Sequence, residues 1–279
     1  MSAFLLCERP PAEPGPKRPR CEGCQPLLSL YLRVAVCHGP EGFAGSAVTA
    51  ARYACRTMKL FTYFRSSASY RVRIALQCKG LPIDYVPVHL VRAEHRAPAY
   101  AARVGDALVP ALETDAGDVL TQSLAIIEYL DETHPEPPLL PADALGRARV
   151  RALAQMIACE IHPLNNLRVL RHLTQELQHG EDAKNAWYHH WTRSGLEAFE
   201  RQLALLAQAR AAAGLPPSRL CWGDAPTLAD CCLVPQIFNA QRFKVPLDGL
   251  PLTLAAFEAA SAQPAFQRAH PSACPDSEA

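Results

Sequence analysis

The sequence predicts an α/β domain with the element order βαβαββα, followed by an all-α domain, and three observations indicate this fold class. Apolar runs of strand length alternate with amphipathic helical periods over residues 58–133. A proline-rich stretch at 135–138 ends that alternation, and only helical periods follow it. We therefore expect a first domain at 58–134, a linker at 135–142 and a second domain at 143–279.

The elements of the first domain follow from the apolar pattern and its breaks. Strands are predicted at 58–63, 83–88, 109–113 and 118–120, and helices at 69–79, about 96–102 and 123–133. Lys79 and Gly80 give the first helix a cationic last turn and a stop. The right-handed crossover rule makes the first two strands parallel, and the tight turn at 115–118 makes the last two an antiparallel hairpin. This arrangement is a thioredoxin-like sheet.

The second domain is predicted only from apolar residues that recur at helical spacing. The apolar faces of two predicted helices consist of Val150, Leu153, Ile157 and Ile161, and of Leu196, Phe199, Leu203 and Leu206. Thr227 and Asp230 have the spacing of a capping box that opens a third helix. We expect Pro235 to kink that helix.

Composition favours a globular protein that acts on small molecules. The chain has 279 residues, 49% of them hydrophobic, and a formal net charge of +1, so it lacks the basic surface that nucleic acid requires. No uncharged apolar stretch approaches the roughly 18 to 20 residues of a membrane span. Eleven cysteines, an odd number without regular spacing, indicate reduced thiols and a cytoplasmic location. Cys21 and Cys24 have no second Cys or His pair at zinc-site spacing, so no metal site is predicted.

Residues 1–57 differ from the rest of the chain. They are rich in proline and cysteine and have no sustained helical or strand period. We expect a disordered extension, or a mis-assigned start with translation beginning at Met58.

The junction between the first strand and the first helix is the candidate reactive site. Residues 65–71 place three serines, Ser66, Ser67 and Ser69, on this turn. The first helical turn leaves backbone N–H groups unpaired and carries the positive end of the helix dipole, so it favours an anion such as a thiolate. A serine there can donate its O–H to sulfur and lower the pKa of a bound thiol. The alternative is a serine that only caps the helix.

Four stretches together resemble one family, the zeta class of glutathione transferases. They lie at 63–76, 122–130, 161–170 and 229–245, and the resemblance covers about 58–276. It implies a thioredoxin-like domain followed by the all-helical glutathione-transferase C-terminal domain, in a homodimer. It also implies glutathione as cofactor and a small-molecule substrate. The best-known activity of the class is the cis–trans isomerisation of maleylacetoacetate to fumarylacetoacetate in aromatic amino-acid catabolism.

The resemblance implies a role for particular residues. Ser66 and Ser67 correspond to the catalytic hydroxyls, and Val109 to a cis-proline element whose backbone pairs with the tripeptide like an added strand. Arg65 and Arg242 are candidates for holding substrate carboxylates, because a guanidinium matches a carboxylate in geometry; either could instead form a surface or interdomain ion pair. The implied glutathione contacts are Ser66, Ser67, Ala68, Ser69, Tyr70, Arg71, Val109, Gln122, Ser123, His162 and Asn166.

Two departures from the family pattern stand out. Ala68 replaces a cysteine that many members carry, which removes protein thiol chemistry from this turn. Arg103 and Val104 replace a usual Asn-Pro pair before the third strand. Three alternative functions stay open: isomerisation of maleylpyruvate, glutathione-dependent dehalogenation of small halo acids, and glutathione binding without turnover.

Overall fold

The computed structural model describes residues 57–278, and all of them belong to one compact unit. The expectations for the segment before Thr57, for its translation and for Cys21 and Cys24 concern residues outside the described part. Within that part, strands occur only up to Thr121, and every regular element after it is a helix or a helical turn. The predicted fold class, α/β followed by all-α, is confirmed. The boundaries at 134/135 and 142/143 stay predictions.

A four-stranded mixed sheet forms the first half. Its strands are β1 (Lys59–Thr62), β2 (Asp84–Pro87), β3 (Ala111–Glu113) and β4 (Val119–Thr121), in the order β2-β1-β3-β4. β1 and β2 are parallel, as the crossover rule predicts. β3 and β4 form the predicted antiparallel hairpin, and β3 also pairs antiparallel with β1. Gly117, with φ 97°, supplies the positive φ that the hairpin turn needs.

Three helices accompany this sheet. They are α1 (Ser67–Lys79), α2 (Pro98–Val104) and α3 (Ser123–Thr133). α1 ends at Gly80 with φ 63°, the left-handed stop that the sequence predicts. Val72 and Leu76 on α1 pack with Leu60 of β1 and Ile127 of α3 in one buried core. Burial of these side chains places the first turn of α1 at the end of β1.

The Arg103-Val104 departure has a structural explanation. α2 includes both residues, and its C-cap is Gly105, which has φ 83°. The Arg103 guanidinium pairs with the Glu113 carboxylate on β3 and lies 5.1 Å from the ring centroid of Phe61. An ion pair to the sheet therefore holds this end of α2.

The second half consists of helices. They are α4 (Ala144–Gln155), α5 (Leu167–Arg171), α6 (Glu181–Ala212), α7 (Leu228–Arg242), α8 (Pro251–Ser261) and α9 (Pro264–Ala269). Both predicted apolar faces are buried. At the start of α7, the Asp230 carboxylate accepts hydrogen bonds from the Thr227 N–H and hydroxyl, both at 2.8 Å, as the capping-box spacing predicts. Pro235 lies inside α7.

One predicted helix is not continuous. α4 ends at Gln155, and the chain continues as a π-helical turn, Met156–Ile161, and a 3-10 turn, His162–Asn165. Pro163 explains the break, because it has no N–H to donate and its ring clashes with the preceding turn of an α-helix. The π-helical turn packs closely on α6: a Cβ at Gly195 would lie 2.3 Å from Ile161 Cγ1.

Two further findings bear on the sequence predictions. No helix within residues 57–278 is long and apolar enough to cross a membrane. The six cysteines of this part are all free thiols: Cys78, Cys159, Cys221, Cys231, Cys232 and Cys274.

Candidate active site

A cleft of about 240 Å³ opens where the first turn of α1, the segment before β3, the turns after α4 and the end of α7 meet. Eight of the predicted site residues line it: Arg65, Ser66, Ser67, Ala68, Val109, His162, Asn166 and Arg242. Five others, Ser69, Tyr70, Arg71, Gln122 and Ser123, lie outside its lining. The fold therefore brings together residues from both halves of the described chain.

Ser66 is the N-cap of α1. Its Oγ accepts a hydrogen bond from the Ser69 backbone N–H at 3.2 Å. The capping role weighed from the sequence is thus present. It uses an acceptor lone pair of the hydroxyl and leaves the O–H proton to be donated elsewhere. One hydroxyl can therefore cap the helix and donate to an anion in the cleft.

Ser67 connects α1 to the helical half. It is the first residue of α1, and its Oγ accepts a hydrogen bond from Asn239 Nδ2 of α7 at 2.5 Å. Asn239 also lines the cleft. The position of this hydroxyl is therefore set by α7.

Ser69 and Tyr70 point away from the cleft lining. Ser69 is fully buried, and its hydroxyl has no hydrogen-bond partner within residues 57–278. The Tyr70 ring packs edge-on against Phe238 and His270, at centroid distances of 6.2 and 6.1 Å. Tyr70 thus serves the core between α1 and the C-terminal helices.

Arg71 is a buried cation beside Ser123. It is 2% exposed and donates from Nη1 to Ser123 Oγ at 3.1 Å, while Nε and Nη2 find no partner in the described part of the chain. Burial lowers the pKa of Arg71. Gln122, with φ 67°, is the N-cap of α3, so Ser123 is the first helical residue and does not cap. A buried guanidinium with unpaired N–H groups favours an anion nearby.

The Val109–Pro110 peptide bond is cis, as the family resemblance implies. Val109 lines the cleft just before β3. Across residues 57–278, no hydrogen bond is made by its backbone N–H or C=O. Both groups are available to pair with an extended peptide that binds in the cleft.

His162 and Asn166 line the opposite wall of the cleft, and they belong to different elements. His162 begins the 3-10 turn and Asn166 is the N-cap of α5. Burial, and secondarily the positive charges of Arg71 and Arg168, lower the pKa of His162 to about 3. The imidazole is therefore neutral at physiological pH. Asn166 accepts the Arg168 N–H with its Oδ1 at 3.1 Å.

The cleft is strongly cationic. Among residues 57–278, its lining contains no aspartate or glutamate and five arginines: Arg65, Arg96, Arg168, Arg171 and Arg242. Burial lowers the pKa of Arg242, and the nearby Arg65 charge adds to this effect. Within the described residues, Arg65 and Arg242 form no ion pair. The ion-pair alternative weighed from the sequence is thus not observed there, and an anionic ligand would complement this wall.

Sequence reasoning missed several lining residues. Three of them, Gln236, Asn239 and Phe243, recur at helical spacing along α7 and just after it. They lie near Arg242, which was predicted to be a site residue, so this spacing could have identified them from the sequence. Arg168 and Arg171 are three residues apart on α5. Arginines on one face of a helix more often mark a solvated surface, so this second signal was weak.

Comparisons with known proteins agree with this architecture. Residues 60–138 match the family model described as the N-terminal domain of glutathione S-transferase. The maleylacetoacetate isomerase of Pseudomonas aeruginosa is 46% identical over 224 residues, which cover 80% of this chain and all of that protein. A solved maleylpyruvate isomerase, described as a bacterial glutathione S-transferase of the zeta class, aligns with a TM-score of 0.72 at 47% identity and covers 79% of this chain and all of that chain.

The chain belongs to the zeta class of the glutathione S-transferase family. A further relative of known structure is the maleylacetoacetate isomerase of Anaeromyxobacter dehalogenans 2CP-1, crystallised with glutathione in its active site. It aligns with a TM-score of 0.69 at 40% identity and covers 80% of this chain and 98% of that one. The predicted family and its two-part fold are confirmed for this zeta-class protein.

Proposed function

We propose that this zeta-class protein is a glutathione-dependent cis–trans isomerase of maleylacetoacetate. One observation carries the proposal: the Ser66 hydroxyl at the start of α1 lines the same cleft as five arginines, and no carboxylate from the described part of the chain lines it. The first feature suits a thiolate and the second suits a substrate with carboxylates.

The residues present fit glutathione. With respect to residues 57–278, Ser66 keeps a free O–H proton, Val109 offers unpaired backbone groups, and Arg71 has unpaired N–H groups next to Ser123. We assign the cysteinyl sulfur to Ser66, the backbone of the tripeptide to Val109, and the γ-glutamyl carboxylate to the Ser123 and Arg71 region. Gln122, His162 and Asn166 are proposed to complete the site.

Glutathione would supply a thiolate that adds reversibly to the conjugated alkene, so that the former double bond can rotate. The protein must first keep that thiol ionised. Ser66 donates its O–H to the sulfur, and the positive end of the α1 dipole favours the same charge. Both effects require little rearrangement, because the hydroxyl is already held by its capping bond to Ser69.

The arginines would bind the substrate. Maleylacetoacetate ends in carboxylates, and negative charge develops on its carbonyl oxygen as the alkene is attacked. Within residues 57–278, Arg65 and Arg242 have no carboxylate partner, and Arg242 uses only one N–H, on Asn239 Oδ1 at 3.4 Å. Their remaining N–H groups can bind carboxylate or the developing charge. Neutral His162 adds a hydrogen-bonding group without adding charge to this wall.

Maleylpyruvate is the second candidate substrate, because it presents the same alkene and terminal carboxylates on a shorter chain. The favouring observation is that relatives of both names match over their full length. A small halo acid has only one carboxylate, so its dehalogenation would not require a cleft with five arginines.

The remaining family features are proposals as well. We infer a homodimer, a cytoplasmic location, a role in tyrosine and phenylalanine catabolism and the predicted domain boundaries. They rest on the membership of this chain in the zeta class and on its free cysteines.

The test is turnover by the full chain on both substrates, with and without glutathione. We expect isomerisation only with glutathione, and many turnovers per glutathione because it is regenerated. The ratio of kcat/KM for maleylacetoacetate and maleylpyruvate identifies the preferred substrate. Glutathione binding without turnover on either substrate would refute the isomerase proposal and favour dehalogenation or a binding role.

A further inference from the structure

The C-terminal segment beyond α9 returns to the first half of the chain. After the 3-10 turn Pro271–Ala273, Asp276 reaches the segment between β1 and α1. Its Oδ2 accepts a hydrogen bond from the Phe64 backbone N–H at 3.1 Å, and its Oδ1 accepts one from the Tyr85 hydroxyl on β2. One carboxylate from the end of the chain thus bridges two parts of the sheet domain.

Phe64 is only two residues before Ser66, and its peptide groups are held from both sides. Asp276 accepts from its N–H, while Arg73 donates from Nη2 to its C=O at 3.0 Å. Arg73 also donates to the Tyr63 C=O at 3.3 Å. The Ser66 N–H in turn bonds to the same Tyr63 carbonyl at 2.9 Å. The turn that carries the Ser66 hydroxyl is therefore held by side chains at its entry.

Glu278 makes a weaker contact with the next loop. Its Oε1 lies 3.1 Å from His89 Nε2 and 3.0 Å from Arg92 Nη2. Leu90 and Val91, between these two partners, line the cleft. The Glu278 and Arg92 side chains are 46% and 66% exposed, so solvent screens this pair and it contributes little. Of the two carboxylates, Asp276 is the one that can hold the site.

We propose that Asp276 is a positioning residue for Ser66: it fixes the Phe64 peptide and thereby the distance from the Ser66 hydroxyl to a bound thiol. The inference rests on the proposed function. The Phe64 N–H and the Tyr85 hydroxyl lose a partner when Asp276 is removed, so the segment between β1 and α1 must shift to find others. A displacement of about 1 Å at a reacting group costs about 100-fold in rate.

Tyr85 sets the orientation of Asp276. Burial, and secondarily its hydrogen bond to Asp276, raise the pKa of Tyr85, so its hydroxyl stays protonated and donates. Removing that hydroxyl leaves Asp276 in place with one of its two partners. Tyr85→Phe should therefore produce a smaller change of the same kind as Asp276→Ala, and the two changes should not add.

The test compares Asp276→Ala, Tyr85→Phe and the double variant with Glu278→Ala as the matched control. The readouts are the pKa of the bound glutathione thiol, followed by the ultraviolet absorbance of its thiolate, the Kd of glutathione, and kcat. We expect Asp276→Ala to raise the thiol pKa by about one unit and to lower kcat about 10-fold to 100-fold, with the Kd of glutathione changed less than three-fold. Glu278→Ala should match the unsubstituted protein in all three.

The outcomes separate this inference from the proposed function. An unchanged thiol pKa in Asp276→Ala would overturn the positioning role, whatever the isomerase rate of the unsubstituted protein. Absent turnover in the unsubstituted protein, together with a raised thiol pKa in Asp276→Ala, would refute only the isomerase function. If Asp276→Ala does not fold, Tyr85→Phe and Asp276→Asn carry the test, and an unchanged thiol pKa in both would overturn the inference.

Discussion

Replacing Ser66 by alanine removes two interactions of one hydroxyl, and the structure separates their effects. The capping bond from the Ser69 N–H is lost, which costs about 1 kcal/mol of stability. In a domain of this size, that loss lowers Tm by about 2–4 °C. The O–H donor to the bound thiolate is lost as well. A hydrogen bond to a charged group contributes about 1.5–3 kcal/mol, so the thiol pKa should rise by about one to two units.

Ser66→Ala should affect the isomerase activity much more than the thermal stability of the protein. A rise of one to two units in the thiol pKa lowers the fraction of bound glutathione that is ionised by up to about 10-fold to 100-fold at a pH below that pKa. We therefore expect Ser66→Ala to fold, to melt only a few degrees lower and to lose about 90–99% of its isomerase activity. Thermal unfolding, the thiol pKa and steady-state kinetics with saturating glutathione measure the three quantities.

Two companion variants distinguish the cap from the donor. Glycine is tolerated at an N-cap at a cost of only a few tenths of a kcal/mol, so Ser66→Gly should be nearly as stable as the unsubstituted protein and as inactive as Ser66→Ala. Aspartate caps as well as serine but places a negative charge beside the thiolate. Ser66→Asp should therefore be stable and have the highest thiol pKa of the series. Activity in Ser66→Gly close to that of the unsubstituted protein would refute the donor role.

Three further predictions concern charge. In the parent protein the Asp131 carboxylate lies 2.8 Å from the Lys79 ammonium and also accepts the Leu139 N–H at 2.7 Å. Lys79→Met leaves this carboxylate without a cation, so urea unfolding should show a loss of about 3–5 kcal/mol in the free energy of unfolding; a loss below about 1 kcal/mol would contradict this. The pKa of His162 is about 3 in the folded chain and about 6.5 when unfolded. Its contribution to the free energy of unfolding is therefore complete above pH 6.5 and is lost as the pH falls. Between pH 7 and pH 5 the parent protein should lose about 2 kcal/mol more of its free energy of unfolding than His162→Gln does, and equal losses in the two proteins would contradict the pKa shift. Arg242→Gln should lower kcat/KM for the diacid about 10-fold to 100-fold and leave the Kd of glutathione unchanged. The control Arg201→Gln, at an exposed position, should leave kcat/KM unchanged. Equal effects of the two substitutions on kcat/KM would contradict a substrate role for Arg242.

Local patterns predicted the sheet, α1 and the reactive turn, because the signals lie within a few residues of one another. Gly80 ends α1 and Ser66 begins it, and each acts on its immediate neighbours. The turn after α4 was missed because its apolar side chains keep their burial while the backbone changes to a π-helical turn. A period of buried residues does not distinguish these two backbones.

The contacts that shape the site from a distance were beyond sequence reasoning. Asp276 and Phe64 are 212 residues apart, and nothing near either residue indicates the other. Arg96, Arg168 and Arg171 have the pattern of ordinary solvated arginines until the fold gathers them around one cleft. Tyr70, placed among the glutathione contacts by resemblance, packs in the core, because only the first residues of α1 face the cleft.

The electrostatics of the cleft make its positive charge persistent across the neutral pH range. Arginine does not lose its proton there, and among the residues that the structure describes no carboxylate lines the cleft to neutralise it. His162 gains a proton only at strongly acidic pH. Behind this lining, Arg71 is held by a neutral serine hydroxyl rather than by a carboxylate. A protein that only had to be stable would pair such charges. Arginines without carboxylate partners near the Ser66 hydroxyl lower the stability of the fold, but they create a binding site for anions. A thiolate and a dicarboxylate that bind together require such a site.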